Sequence, residues 1–267
     1  MKGISVIVRS TSENTSHVLI NDLKMNLSKS DSLLVLDEKE TFQNKLFKSL
    51  ESALNLSKDF SIIIDADILV RKGFVEKVKN LTKTLPSNCS GFGLKVFDKF
   101  YDCPKFRGVH IYRTSVLPRM LSFFPLENDL LRPEKFIKEK LISDYGIIWD
   151  NNHSPYIAGV HDFYQSNEDI VYKIYIRAKR SSEDVKLIKE IANKNNYYEK
   201  ESVYLGIKLA EIGEINFNNK KMFLEKFKRE IECLPKKDNQ ISKYYRLNLF
   251  FKLIKHYGLS TSLINSI

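Results

Sequence analysis

Apolar residues along this chain change their period at intervals, and those changes mark out its elements. Residues 3–8, GISVIV, are a short β-branched run that reads as a buried strand. A polar stretch follows; a helix is expected over about 15–28, and SLLVLD at 32–37 reads as a second strand ending in an acid. Within 41–57, Phe42, Leu46, Leu50 and Leu54 recur at steps of four, the spacing of an amphipathic helix. Residues 60–67, FSIIIDAD, read as a third strand, and 72–85 place Phe74, Val78, Leu81 and Leu85 on one face of a further helix. This alternation predicts an α/β layer with a mainly parallel sheet. Ligands of such sheets bind beyond the carboxyl ends of the strands. Arg9-Ser10-Thr11, Asp37 and Asp65-Ala66-Asp67 all fall at such ends.

Beyond residue 90 the pattern is less regular. Strands are expected at 91–97, 107–113 and 146–150, and a helix opens near Pro133, where a missing N–H costs little. His161-Asp162 follow a Gly-containing turn and precede a helix. From about 182 the period is helical throughout, with a Ser-x-x-Asp pattern near its start and further helices expected at 197–212, 219–233 and 239–257. The expected organisation is therefore an α/β domain over 1–181 and a helical region over 182–267.

Of the 267 residues, 43% are hydrophobic and 12% aromatic, enough for a packed core. The formal charge is +10, which points to an anionic partner. Much of the excess is in residues 219–267, with 11 Lys+Arg against 4 Asp+Glu. There Leu247, Phe250, Phe251, Ile254 and Tyr257 form an apolar stripe beside Lys243, Arg246, Lys252 and Lys255. That pattern fits a helix packed on its own domain or on a second subunit, or one lying on a membrane surface. The N-terminal apolar run is too short for a signal peptide, and no run reaches the roughly 18 residues of a membrane span, so a cytoplasmic protein, at most peripheral to the inner face of a membrane, is expected. Cys89, Cys103 and Cys233 are widely spaced and form no CxxC pair, so neither a zinc site nor a disulfide framework is indicated. The chain lacks GxxxxGK[ST], a GxGxxG after the first strand, and GxSxG, which argues against P-loop NTPases, dinucleotide-binding dehydrogenases and serine hydrolases of the α/β class.

Asp65 and Asp67 are the leading candidates for chemistry. Along an extended segment residues i and i+2 face the same side, so two carboxylates there make an oxygen-rich site suited to Mg2+ or Mn2+. The segment FSIIIDADILVRKGFVEKV, 60–78, resembles the Asp-x-Asp segment of GT-A-fold glycosyltransferases of the family-2-like kind. The lead-in is similar too: the ISVIVRST strand, the acidic strand end at Asp37, and a helix before the Asp-x-Asp. The likeness spans roughly residues 3–180. The first loop reads VRSTSEN rather than the Pro-Thr-Tyr-Asn type of many inverting members, so the subfamily stays open.

The resemblance implies a GT-A architecture, Rossmann-like with a mostly parallel sheet flanked by helices, and a nucleoside-diphosphate sugar donor, UDP-linked in the first instance. It implies a divalent metal, Mn2+ or Mg2+, on Asp65, Asp67 and a downstream His, matched by His161 in AGVHDFYQ. Nucleotide or donor contacts would come from Arg9, Ser10, Thr11, Asp37, Asp65, Ala66, Arg107 and Gly108. Glu127 and Asp129 in PLENDLLRPE match the position of the acid that accepts the acceptor's proton in inverting relatives, and a retaining mechanism stays open. The acceptor would be a glycan or lipid-linked glycan in surface polysaccharide synthesis, with no nucleic acid involved and room for an oligomer. The rival reading is a non-enzymatic nucleic-acid-binding protein using the basic, Tyr-rich C-terminal helices. Lys45 and Lys48 read as the solvated side of the 41–57 helix.

Overall fold

A computed structural model of the chain describes residues 3–11, 13, 15–37, 42–101, 103–125, 133–161, 165–180, 182–194, 199–212 and 220–235. They fall into two compact units, one within Met1–Phe163 and one within Tyr164–Arg246. The boundary expected near 181 falls between two helices of the second unit.

The first unit runs β1 (Ile4–Ser10), α1 (Ser16–Asn26), β2 (Ser32–Asp37), α2 (Phe42–Asn55), β3 (Phe60–Asp65), β4 (Ile68–Val70), α3 (Phe74–Thr82), β5 (Cys89–Asp98), β6 (Cys103–Arg113), α4 (Leu117–Ser122), α5 (Pro133–Tyr145), β7 (Ile148–Asp150) and β8 (Ile157–His161). The strands form one sheet in the order β2-β1-β3-β6-β5-β8-β4, with β7 paired to β5. Among the described residues four of the seven pairings are parallel, and β6 is antiparallel to both its neighbours. The α/β class and the mostly parallel sheet expected from the alternation of periods are thus present.

Every residue of β1 is buried, as its continuous apolar run requires of a strand covered on both faces. Side chains alternate across the sheet. Val6, Val8, Ile62 and Ile64 pack with Leu19 and Leu23 of α1 and with Phe74, Val75 and Val78 of α3. Ile7, Ile63 and Tyr112 pack on the other face with Leu46 and Leu50 of α2, Leu117 and Met120 of α4, and Ile137 and Leu141 of α5.

Two local expectations are corrected. The third strand does not run extended through Asp67; a turn at Ala66-Asp67 separates β3 from β4. The Ala66 N–H donates to the Arg9 carbonyl (3.0 Å) and its carbonyl accepts from Thr15 Oγ1 (2.6 Å), so both peptide groups are taken by β1 and the α1 entry. The chain then leaves to pair with β8. In α2 the buried face is Gln43, Lys45, Leu46, Ser49, Leu50 and Ala53, while Phe42 is 48% exposed under the Arg9 guanidinium. Lys45 is therefore not on a solvated side: its Nζ donates to the Ser10 carbonyl (2.8 Å), and burial lowers its pKa.

Asp31 ties the turn before β2 to the rest of the unit. It accepts the Ile4 N–H (3.0 Å), the Ser28 N–H (2.8 Å) and a charged bond from Lys79. Burial alone would raise its pKa, but the Lys79 and Ser28 bonds, with the Ile4 N–H, outweigh it and bring the value to about 2. A carboxyl lowered on folding stabilises the fold above its unfolded value and ceases to do so as pH falls through its folded value. Asp31→Asn is expected to cost about 2 kcal/mol at neutral pH. In urea melts, the gap to wild type should close between about pH 4 and pH 2.

The second unit is helical, as expected: α6 (Asn167–Arg180), α7 (Ser182–Lys194), α8 (Lys200–Ile212), α9 (Lys220–Lys226) and α10 (Lys228–Glu232). Phe223 is its centre, with ring contacts to Tyr172, Tyr175 and Phe227. Gly206 lets α8 approach α6, because a Cβ there would stand 2.8 Å from the Val171 carbonyl oxygen. The helix expected at 239–257, with its basic apolar stripe, lies outside the described residues. Among the described residues no helix is long and apolar enough to cross a membrane.

Candidate functional site

The β1–β3 register places Arg9 directly opposite Asp65, both at the carboxyl ends of their strands. By alternation both face the side of the sheet that carries Ile7 and Ile63, and His110 and Tyr112 of β6 face the same side. Arg9, whose side chain is 4% exposed, donates from Nε to Asp65 Oδ1 (2.8 Å) and lies 3.6 Å from Glu134 in the first turn of α5. Burial works against the Arg9 charge, yet Asp65 and Glu134 hold its pKa above the ordinary value. Burial pushes the Asp65 carboxyl up; Arg9 opposes this, while the nearby Asp67 and Glu134 charges add to it. Burial would also raise Glu134, but His110, Arg9 and Lys138 prevail and lower it, so it stays ionised.

Around this pair lies a polar and aromatic group. The Tyr112 ring is 5.1 Å from that of Trp149, His110 is 5.9 Å from Trp149, and Lys138 Nζ lies 3.5 Å over the Trp149 ring. Burial lowers His110 to about 4, so it is neutral at neutral pH, and lowers Lys138 to about 8. Tyr112 is 1% exposed, and among the described residues neither its hydroxyl nor His110 Nδ1 has a hydrogen-bond partner. Buried polar atoms ordinarily find partners, so two such atoms on one face mark a place for water. Tyr112→Phe is expected to leave the melting temperature unchanged or higher. A hydroxyl with a protein partner would instead cost about 1 kcal/mol when removed, which thermal melts resolve.

A second cluster adjoins the first. β8 lies between β5 and β4, so its last residue, His161, is flanked by Asp98 at the end of β5 and by Asp67 just before β4. His161 Nε2 is 3.3 Å from Asp67 Oδ2, and Nδ1 is 3.3 Å from Asp98 Oδ2. Asp98 is fully buried, accepts the N–H groups of Phe100 and Tyr101 (both 3.0 Å), and pairs with Arg107 Nε (3.1 Å).

The remaining sequence candidates fall as follows. Ser10 is buried at the end of β1, with Oγ 3.3 Å from Ser16 Oγ. Thr11 is held by Glu13, which accepts its N–H (2.6 Å) and its hydroxyl. Asp37 is exposed at the end of β2, opposite Ser10. Arg107 is engaged by Asp98 and stacks over Tyr101 (4.8 Å), so it anchors a carboxylate inside the protein. Gly108 has φ +57°, and a Cβ on it would stand 2.8 Å from Asp65 Oδ2; the room it leaves is taken by Asp65. Glu127 and Asp129 lie outside the described residues.

Glu134, Tyr112, Lys138, Trp149 and Asp98 are additions that the sequence reading missed. Asp98 carried a usable signal: like Asp37 and Asp65, it ends an apolar strand run. Glu134 did not, because an acid one residue after Pro133 reads as an ordinary first-turn helix acid.

The Asp67 carboxylate is a donor suited to a hard cation such as Mn2+ or Mg2+, whereas the His161 imidazole suits softer transition metals better and would make a mixed site. Asp98 behind His161 is the kind of carboxylate that supports a metal-bound imidazole. Asp65 is next to them, with one oxygen held by Arg9. Among the described residues no three His, Cys, Asp or Glu side chains are gathered so as to hold a metal ion by themselves, so bound phosphate oxygens would have to complete the shell.

No protein-family model and no curated protein matches the chain. Solved structures that resemble it include a glycosyltransferase involved in the glycosylation of the major capsid of PBCV-1, at 11% identity and TM-score 0.40, covering 61% of this chain and 94% of that one. S. aureus TarS 1-349 is similar at 14% identity and TM-score 0.42, covering all of this chain and 89% of that one. Against a longer S. aureus TarS structure, at the same identity and TM-score, the chain spans 54% of the length. At these levels the likeness leaves function to be argued from the site.

Proposed function

We propose that the chain is a glycosyltransferase that moves a sugar from a nucleoside-diphosphate donor, UDP-linked in the first instance, to a hydroxyl of a glycan or lipid-linked glycan. The observation that carries the reading is the convergence, beyond the carboxyl ends of β1 and β3, of Asp65, Asp67 and His161 with the buried Arg9 and the ionised Glu134. A diphosphate needs cations, a leaving diphosphate needs charge stabilisation, and an attacking hydroxyl needs a proton acceptor.

Asp67 and His161, with Asp65 adjacent, would hold Mn2+ or Mg2+, which as a Lewis acid offsets the charge that develops on the leaving diphosphate. Arg9 holds Asp65 in place and keeps its charge balanced. Glu134 would accept the proton of the acceptor hydroxyl, with Glu127 and Asp129 as further candidates a few residues upstream. The hydroxyl oxygen forms the new bond to the anomeric carbon as the bond to the diphosphate breaks, and the diphosphate leaves with that electron pair.

A panel of sugar nucleotides, screened for Mn2+-dependent binding and hydrolysis, tests the reading. Binding of one donor that is lost on adding EDTA supports it; failure of every donor to bind with Mn2+ present overturns it.

A further inference from the structure

His161 stands between two carboxylates that differ in one respect. The Asp67 side chain is 19% exposed, whereas that of Asp98 is 0% exposed. Asp98 is itself fixed from three directions: the N–H groups of Phe100 and Tyr101 take Oδ1, and Arg107 Nε approaches Oδ2. Arg107 is braced in turn by the Tyr101 ring. The β5–β8 register, which pairs Asp98 with His161, sets their separation through the backbone. Both imidazole nitrogens have a carboxylate oxygen at 3.3 Å, and the Nδ1–Asp98 approach is an ion-pair contact rather than an aligned hydrogen bond, so the selection comes from Asp98 being fixed and fully buried: a carboxylate held there favours the tautomer with the proton on Nδ1 and leaves the Nε2 lone pair outward.

We propose that Asp98 is a positioning residue that holds His161 with Nδ1–H directed into the protein and Nε2 directed at Asp67, ready to act as a ligand. Arg107, in this arrangement, keeps the buried Asp98 charge compensated rather than binding substrate. The inference rests on the reading of the Asp67–His161 site given above, but its first test is independent of any metal.

The test is Asp98→Asn, which keeps an oxygen for the Phe100 and Tyr101 N–H groups and removes the charge facing His161. Two-bond 1H–15N spectra at about pH 8.5, above the ordinary imidazole range, report the His161 tautomer directly. Wild type should show the Nδ1–H form and Asp98→Asn a mixture; an Nε2–H form in wild type, or an unchanged tautomer in the variant, overturns the proposal. Mn2+ titrations with UDP present provide the second reading. Asp98→Asn should weaken Mn2+ by about 10- to 100-fold with the melt still cooperative, as is usual for loss of a carboxylate behind a metal-bound His. Unweakened Mn2+ binding overturns the proposal and leaves the metal site standing. No Mn2+ binding by wild type removes the metal from the proposed function, and the tautomer still decides the role of Asp98. If Asp98→Asn does not fold, Arg107→Gln, which leaves the Asp98 carboxylate in place without its cation, should keep the Nδ1–H form, and an Nε2–H form there counts against the proposal.

Discussion

Asp67→Ala is expected to lower sugar transfer by at least about a hundredfold, the scale on which a single group stabilising transition-state charge acts. The fold should remain cooperative, because the substitution removes a like charge beside Asp65 along with the contact to His161. His161 keeps its Asp98 neighbour in the variant, so the loss would belong to the open side of the site. Steady-state kinetics beside a thermal melt check both halves. Transfer at the wild-type rate, in the variant or in wild type treated with EDTA, would remove the metal from the mechanism.

The largest effect on stability is expected at Arg9. Arg9→Met keeps much of the side chain's volume but leaves Asp65 and Glu134 facing each other without their shared cation. Breaking a fully buried ion pair from one side costs roughly 3–5 kcal/mol. The Asp65 side chain is 33% exposed, and water recovers part of that cost, so about 2 kcal/mol is expected in urea denaturation. Adding Asp65→Asn to Arg9→Met should restore a portion of it, since the stranded charge is then gone. A single variant as stable as wild type would mean that the pair contributes no more than a surface bridge.

The α/β layer was legible in the chain because both of its periods are strong. The β1 run and the β3 run are continuous and β-branched, and the helices between them carry apolar residues at helical spacing. The strand-end acids were legible for the same reason, since a carboxylate closing an apolar run stands out. Legibility failed where the determinant lies outside the local window. The four-residue stripe of α2 put Phe42 inside and Lys45 outside; the fold does the reverse, because the Ser10 carbonyl gives Lys45 a buried partner that no local period encodes. The extended geometry assumed for Asp65 and Asp67 failed likewise, since the bonds that turn the chain at Ala66 come from Arg9 and Thr15, more than 50 residues upstream.

Arg107 and Gly108 show the same division. Their types and places in a strand were plain, and the resemblance suggested phosphate and sugar contacts. Only the sheet order brought Asp98 to Arg107 and Asp65 to Gly108. The sequence by itself determined the class of fold, the strand ends and the chemistry available there, because periodicity and residue type are local. Which carboxylate faces which cation, and that His161 stands between Asp67 and Asp98, were decided by strand order and register. Those depend on pairings between residues far apart in the chain, and only the folded protein specifies them.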